Sequence, residues 1–161
     1  MPENRPHSSS LRKGRISEPG RIYFITTSCH GRRKYLNDPF NARIVMDEFE
    51  LRAAEGACDN LAHVVMPDHI HWLVRLRGDS VLHEVVRRLK GRSARLINMM
   101  KTSPWIIWQK SFHDRALRAE EDIENIANYL IHNPLRAGLV RELCDYPYWW
   151  SVWHQRGRNR G

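Results

Sequence analysis

Apolar and polar positions change their period several times along the 161-residue chain, and each change marks a predicted element. From Arg21 to His30 the run Arg-Ile-Tyr-Phe-Ile-Thr-Thr-Ser-Cys-His is rich in β-branched and aromatic residues, which predicts a strand closed by Gly31, Arg32, Arg33 and Lys34. Asp38-Pro39 then reads as a cap followed by proline at a first helical position. Ile44, Val45, Glu48, Leu51 and Arg52 continue at helical spacing as far as Gly56. Leu61 to Met66 and His69 to Leu76 read as two strands joined across Pro67-Asp68, a gap the size of a hairpin turn. Val81, Leu82, Val85, Val86, Leu89, Leu96, Ile97 and Met100 recur three and four apart and predict a second helix, with Arg87, Arg88, Arg92 and Arg95 on its opposite face. Trp105 to Trp108 reads as a short fourth strand, and a last helix is predicted from near Ala119, with Glu120, Glu121 and Asp122 in its first turn.

The order is β-α-β-β-α-β plus a final helix. That is the α+β, ferredoxin-like arrangement: an antiparallel four-stranded sheet with two helices on one face, and a C-terminal helix added. With 42% hydrophobic residues the chain fills one core, expected over residues 21–155 between a flexible basic arm, 1–20, and a basic tail, 156–161. No run approaches the ~18 apolar residues of a membrane span, and the first twenty residues lack the apolar centre of a signal peptide. A cytoplasmic protein without a membrane partner is expected. Three widely spaced cysteines, Cys29, Cys58 and Cys144, suit neither a disulfide framework nor a CxxC metal site and read as reduced thiols. A formal charge of +8 adds attraction for phosphate polymers, which puts nucleic acid first among partners.

Candidate chemistry begins at His69-Ile70-His71. Side chains alternate along a strand, so both imidazoles project from one face while Ile70 points to the other. On a two-layer fold the face that carries the histidines, opposite Ile70, is expected to be open to ligands. Neutral imidazole suits zinc, manganese and other divalent ions, although a bare HxH pattern equally describes two exposed polar rings. On the last helix Ile123, Ile126, Ala127, Leu130 and Ile131 form the apolar stripe, and Tyr129 falls well away from its centre. Asn133 follows four residues later. On an unbroken helix it shares a face with Tyr129, whereas Pro134 can end the helix there and redirect it.

Several motifs stand in order: Met66-Pro67-Asp68-His69-Ile70-His71-Trp72-Leu73-Val74, Leu89-Lys90-Gly91, Trp108-Gln109, Phe112-His113-Asp114 with Leu117-Arg118, and Tyr129 through Asn133-Pro134 to Val140. From about Arg21 to Trp150 this series resembles the single-tyrosine HUH transposases of the IS200-like group, and within it the REP-associated tyrosine transposases. The resemblance implies Tyr129 as nucleophile and His69 and His71 as metal ligands for Mg²⁺ or Mn²⁺. It places Asn133 at a third ligand position where related enzymes often carry Gln. It further implies nicking and rejoining of single-stranded DNA at hairpin-flanked sites, through a 5′-phosphotyrosine and a free 3′-hydroxyl. The implied partners are REP-like palindromic hairpins, with the protein nucleoid-associated and acting as a monomer or homodimer.

Phosphate contacts are expected from Arg32, Arg33 and Lys34 and from Arg87, Arg88, Lys90, Arg92 and Arg95. Trp149, Trp150 and Trp153 are expected to close the C-terminal side of the core, the other reading being that they stack on bases. A competing function is a non-catalytic module that holds DNA or RNA hairpins on a ferredoxin-like sheet. The aromatic RNP pattern of such sheets is absent. A two-metal hydrolase of small phosphate esters would need a carboxylate cluster that the sequence does not offer.

Overall fold

The protein is seen here as a computed structural model that describes residues 17–157. Residues 1–16 and 158–161, most of the expected basic arm and tail, lie outside the described residues. Five strands, β1 (Ile22–Ser28), β2 (Cys58–Val65), β3 (His69–Leu76), β4 (His113–Ala116) and β5 (Trp149–Ser151), form one antiparallel sheet in the order β4-β1-β3-β2-β5. The first four keep the ferredoxin-like order, and β5 extends the sheet beside β2. The helices are α1 (Pro39–Ala54), α2 (Leu82–Asn98), α3 (Ile123–Ile131) and the short α4 (Asn133–Arg136). Among the described residues no helix is long and apolar enough to cross a membrane.

Alternation along the strands divides the core in two. Tyr23, Ile25, Ile70, Trp72, Val74 and Leu76 pack beneath Val45 and Phe49 of α1 and Val85, Val86 and Leu89 of α2. From the opposite face Ile22, Val64 and Leu73 meet Ala127, Leu130 and Ile131 of α3. The second face is therefore not open, as two-layer reasoning expected. The apolar stripe of α3 has to be buried, and β1 to β3 supply the apolar surface that buries it. A bulge at Leu61, where the β2–β3 register shifts between Asn60 and Ala62, places Asn60 and His63 on the α1 side. There Asn60 Oδ1 accepts from Trp72 Nε1 at 3.0 Å and meets His63 Nδ1 at 3.1 Å.

Three local expectations change. Trp105 to Trp108 is not the fourth strand: only Trp108 bridges to Cys29, while Trp105 exchanges two hydrogen bonds with Asn98 and stacks on Tyr35, sealing the end of α2. The true fourth strand, His113-Asp114-Arg115-Ala116, lies at the sheet edge, where a polar sequence is tolerated and leaves little apolar pattern. Nor does the last helix begin near Ala119. Glu121 folds back to accept from the Arg118 N–H and from Arg115, and Asp122 is the N-cap, accepting from the Asn125 N–H. The acidic run thus closes a turn before the helix. Finally, an unexpected strand, β5, pairs Trp149 and Trp150 with Val64 and His63, while Trp149 and Trp153 pack against the core as expected.

Candidate functional site

His69 and His71 sit side by side on the α3 face of β3, their ring centroids 4.8 Å apart and their planes near perpendicular. Each ring has one nitrogen engaged. His71 Nδ1 lies 2.8 Å from Thr26 Oγ1, its cross-strand neighbour on β1, and His69 Nδ1 lies 2.7 Å from Asp68 Oδ1. The Nε2 atoms make no hydrogen bond among the described residues, which leaves their lone pairs available to a metal or a hydrogen-bond donor. Burial, followed by the charges of His69, Arg136 and Arg32, pushes the His71 imidazole down to about 3 and so keeps it neutral at physiological pH. A neutral ring with Nδ1 held and Nε2 unspent is the form that ligates a metal.

Behind His69 the carboxylate is itself held. Arg32 Nε donates to Asp68 Oδ2 at 3.1 Å, and Arg32 Nη1 donates to Ser28 Oγ at 3.0 Å. The Arg32 backbone, at φ 54, is in the left-handed region that non-glycine residues seldom occupy, and these two bonds fix its side chain. Burial acts to raise the Asp68 carboxyl, but its bond to His69 and the charges of His69 and Arg32 together hold it below its ordinary value. Arg32, expected as a phosphate contact, is thus committed to the histidine strand.

Tyr129 projects from α3 with 64% of its surface exposed, although the helix packs on the same sheet face as the histidines. The Cζ of Arg136 stands 3.6 Å from the centroid of its ring. Tyr146 is different: its hydroxyl donates to the Val65 carbonyl at 2.5 Å, and burial pushes it up to about 12. Asn133 does not share an unbroken helix with Tyr129. The chain leaves helical geometry at His132 (φ −84, ψ 4), and Asn133 opens α4, its Nδ2 donating to the Leu130 carbonyl at 3.2 Å. Its amide oxygen is the atom left to serve a ligand. The imidazole nitrogens of His69 and His71 are donors of the kind that suit a divalent ion. Among the described residues, the one grouping of three carboxylate or thiol donors, Glu142, Cys144 and Asp145, lies fully exposed around a 3-10 turn before β5.

The cationic stripe of α2 is partly neutralised. Arg87 pairs with Glu84 at 2.7 Å, Arg88 with Glu55 at 3.6 Å and Arg92 with the buried Glu48 at 2.8 Å. Lys90 turns its Nζ to the carbonyls of Gln109 and Ser111, so it ties the helix to the following loop. Arg33, Lys34 and Arg95 are exposed and enter no ion pair among the described residues. Cys29 and Cys58 are buried free thiols pushed up to about 12, first by burial, as unreactive core residues should be.

Sequence reasoning passed over Thr26, Asp68 and Arg136. Asp68 has a local signal, since it directly precedes His69, and Arg136 a weaker one, seven residues after Tyr129. Thr26 lies 45 residues from His71, and only the β1–β3 register joins them.

The fold is α+β, with a two-histidine strand backed by hydroxyl and carboxylate partners and an exposed tyrosine on the helix over the same sheet face. The family model for IS200-like transposases matches residues 20–133, and the chain belongs to that family. Its relatives include REP-associated tyrosine transposases. A Haemophilus influenzae protein named as one is 29% identical over 146 residues, covering 80% of this chain and 78% of its own length. One from Escherichia coli K12 is 28% identical over 95 residues, or 58% of this chain and 53% of its own. A REP-associated tyrosine transposase solved bound to a REP hairpin has the same fold, with a TM-score of 0.68 and 23% identity over 84% of this chain and 79% of that one. A Deinococcus radiodurans R1 structure named as a transposase gives a TM-score of 0.53 and 24% identity, covering 72% and 92%.

Proposed function

We propose that the chain nicks and rejoins single-stranded DNA beside REP-type hairpins, with Tyr129 as nucleophile. One observation carries this reading: the helix that bears Tyr129 packs on the sheet face that presents His69 and His71. The Tyr129 oxygen attacks the scissile phosphorus in line as its proton leaves. The bond from phosphorus to the 3′ oxygen breaks, and that oxygen takes up a proton. The products are a 5′-phosphotyrosine and a free 3′-hydroxyl. Because the phosphodiester is conserved, a second 3′-hydroxyl can reverse the step and join a new strand. His69, His71 and Asn133 would hold Mg²⁺ or Mn²⁺, which supplies charge to polarise the phosphate. Thr26 and Asp68 orient the rings, and Arg33, Lys34, Arg87 and Arg95 meet the backbone of the bound hairpin.

An adduct gel tests the proposal. A labelled REP-type hairpin oligonucleotide with a single-stranded flank should yield a covalent protein–DNA band that requires Mg²⁺ or Mn²⁺. Tyr129→Phe should abolish the band and keep hairpin affinity within a few-fold. Tight binding with no adduct from the unaltered protein would instead identify a non-catalytic hairpin-binding module.

A further inference from the structure

We propose that Arg136 is the positioning residue of the nucleophile: its guanidinium stacks on Tyr129, fixes the direction of the phenol oxygen, and faces the phosphate while the tyrosine–DNA bond forms and breaks. This rests on the reading of Tyr129 as nucleophile and adds a residue to it.

Four features of the structure support the assignment. First, the 3.6 Å separation between Cζ and ring centroid is van der Waals contact with the cation over the ring face. Second, Tyr129 is 64% exposed, so little else restrains its ring, and an unrestrained phenol would spread its oxygen over several rotamers. Stacking selects among them. Third, the guanidinium is unspent. Arg32, Arg52, Arg87, Arg92 and Arg115 each lie within hydrogen-bonding or ion-pair reach of a carboxylate, whereas Arg136 has no such partner among the described residues. An exposed cation without a carboxylate is free to meet a phosphate oxygen. Fourth, its backbone is fixed. The Arg136 N–H donates to the His132 carbonyl, those of Ala137, Gly138 and Leu139 donate to Asn133, Leu135 and Pro134, and Gly138 takes the left-handed φ of 71 that closes the turn. The helix breaks at His132, where Pro134 has no N–H for the Leu130 carbonyl and Asn133 Nδ2 takes that bond, and the new direction of the short helix returns Arg136 over Tyr129.

The chemistry needs such a group in both directions. In cleavage the phenol oxygen bonds to phosphorus as the 3′ oxygen departs, and in rejoining a 3′ oxygen bonds to phosphorus as the phenol oxygen departs. The phosphoryl group carries negative charge throughout, and the residue that holds the phenol is placed to meet it each time.

The test uses the full chain, the hairpin oligonucleotide that it cleaves, and the variants Arg136→Ala and Arg136→Lys. At saturating oligonucleotide, Arg136→Ala should slow single-turnover adduct formation and rejoining by about 10- to 100-fold while hairpin affinity changes less than about threefold. Arg136→Lys keeps a cation over the ring but loses the planar fork, so it should recover part of the rate. Carbon-13 labelled tyrosine should show the Tyr129 ring resonances shifting in Arg136→Ala and less so in Arg136→Lys, with no DNA present. An unchanged rate, or a defect that appears wholly as weaker binding with a flatter salt dependence, overturns the proposal and makes Arg136 a passive or DNA-backbone contact. Tyr129→Phe run in parallel separates the two failures. If that variant still forms the adduct, the nucleophile is wrong. If it loses the adduct while Arg136→Ala keeps the full rate, only the present inference falls.

Discussion

At His69 and His71 the decisive atoms are the Nδ1 nitrogens. Asp68 at 2.7 Å and Thr26 at 2.8 Å occupy them and so orient each ring and leave Nε2 as the free nitrogen. Partners of this kind raise ligand basicity and remove ring rotations that would otherwise have to be frozen on metal binding; their loss commonly costs about 10- to 100-fold in metal affinity. Asp68→Ala and Thr26→Val should each weaken Mn²⁺ binding, measured by paramagnetic resonance titration of the free protein, by a factor in that range. Affinity equal to that of the unaltered chain would mean that the rings are held by packing alone. Asp68→Ala should be the more severe of the two, because it also releases Arg32 from the turn at the end of β1.

Element by element, α2 shows why a charged stripe is not the same as a binding face. Four arginines share the exposed side, but Glu84, Glu55 and Glu48 partly neutralise three of them. Arg92 belongs to the stability of the fold, since Glu48 is buried, with its carboxyl raised above the ordinary value by desolvation, and needs that cation beside Arg52. Arg95, which enters no ion pair among the described residues, is the clean probe, and Arg87, whose pair with Glu84 is solvent-exposed, is the second. If both meet phosphates, Arg87→Gln with Arg95→Gln should reduce the slope of log affinity against log salt by roughly one to two units, with the melting temperature little changed. An unaltered slope would move the DNA path to Arg33 and Lys34 after β1. Lys90 should be left out of such a series because its ammonium is bonded to the loop carbonyls of Gln109 and Ser111.

The molecule as a whole is a sheet with helices on both faces, and His63 sits in the middle of it. Its ring stacks on Phe49 of α1 with centroids 4.1 Å apart, faces Trp150 of β5 at 5.9 Å, and is fully buried. Desolvation lowers this imidazole from 6.5 to about 3. In the unfolded chain the ring takes a proton near 6.5, whereas the folded protein refuses it until near 3, so the unfolded state binds more protons in between. The contribution of His63 is fully present above that window and is lost as pH falls through it, at up to about 1.4 kcal/mol per pH unit. Glu48, raised by burial, acts with the opposite sign. Urea unfolding across the window should show stability falling toward acid. The fall should be shallower in His63→Gln, even if that variant starts less stable. An equal pH slope in both proteins would shift the acid sensitivity to other groups.

Much of this could be read from the chain because it rests on local periods. Strand alternation alone puts His69 and His71 on one face, helical spacing alone separates Tyr129 from the stripe of Ile123, Ala127 and Leu130, and Asp38-Pro39 begins α1 as a cap and first turn should. The ferredoxin-like order of the first four strands follows from the order of those periods, but the position of the fourth does not, because an edge strand such as His113–Ala116 buries too little to need an apolar pattern. What only tertiary structure decided are the pairings across distance. That α3 covers the histidine face depends on which of two apolar surfaces is left after α1 and α2 have packed, a competition no local window contains. The Thr26–His71 contact depends on strand register, the Asp68–Arg32 bond on a left-handed backbone at the end of β1, and the Arg136–Tyr129 stack on the direction of the chain after His132. Sequence spacing determines which side chains share a face; the geometry of packing and of broken helices determines which faces meet.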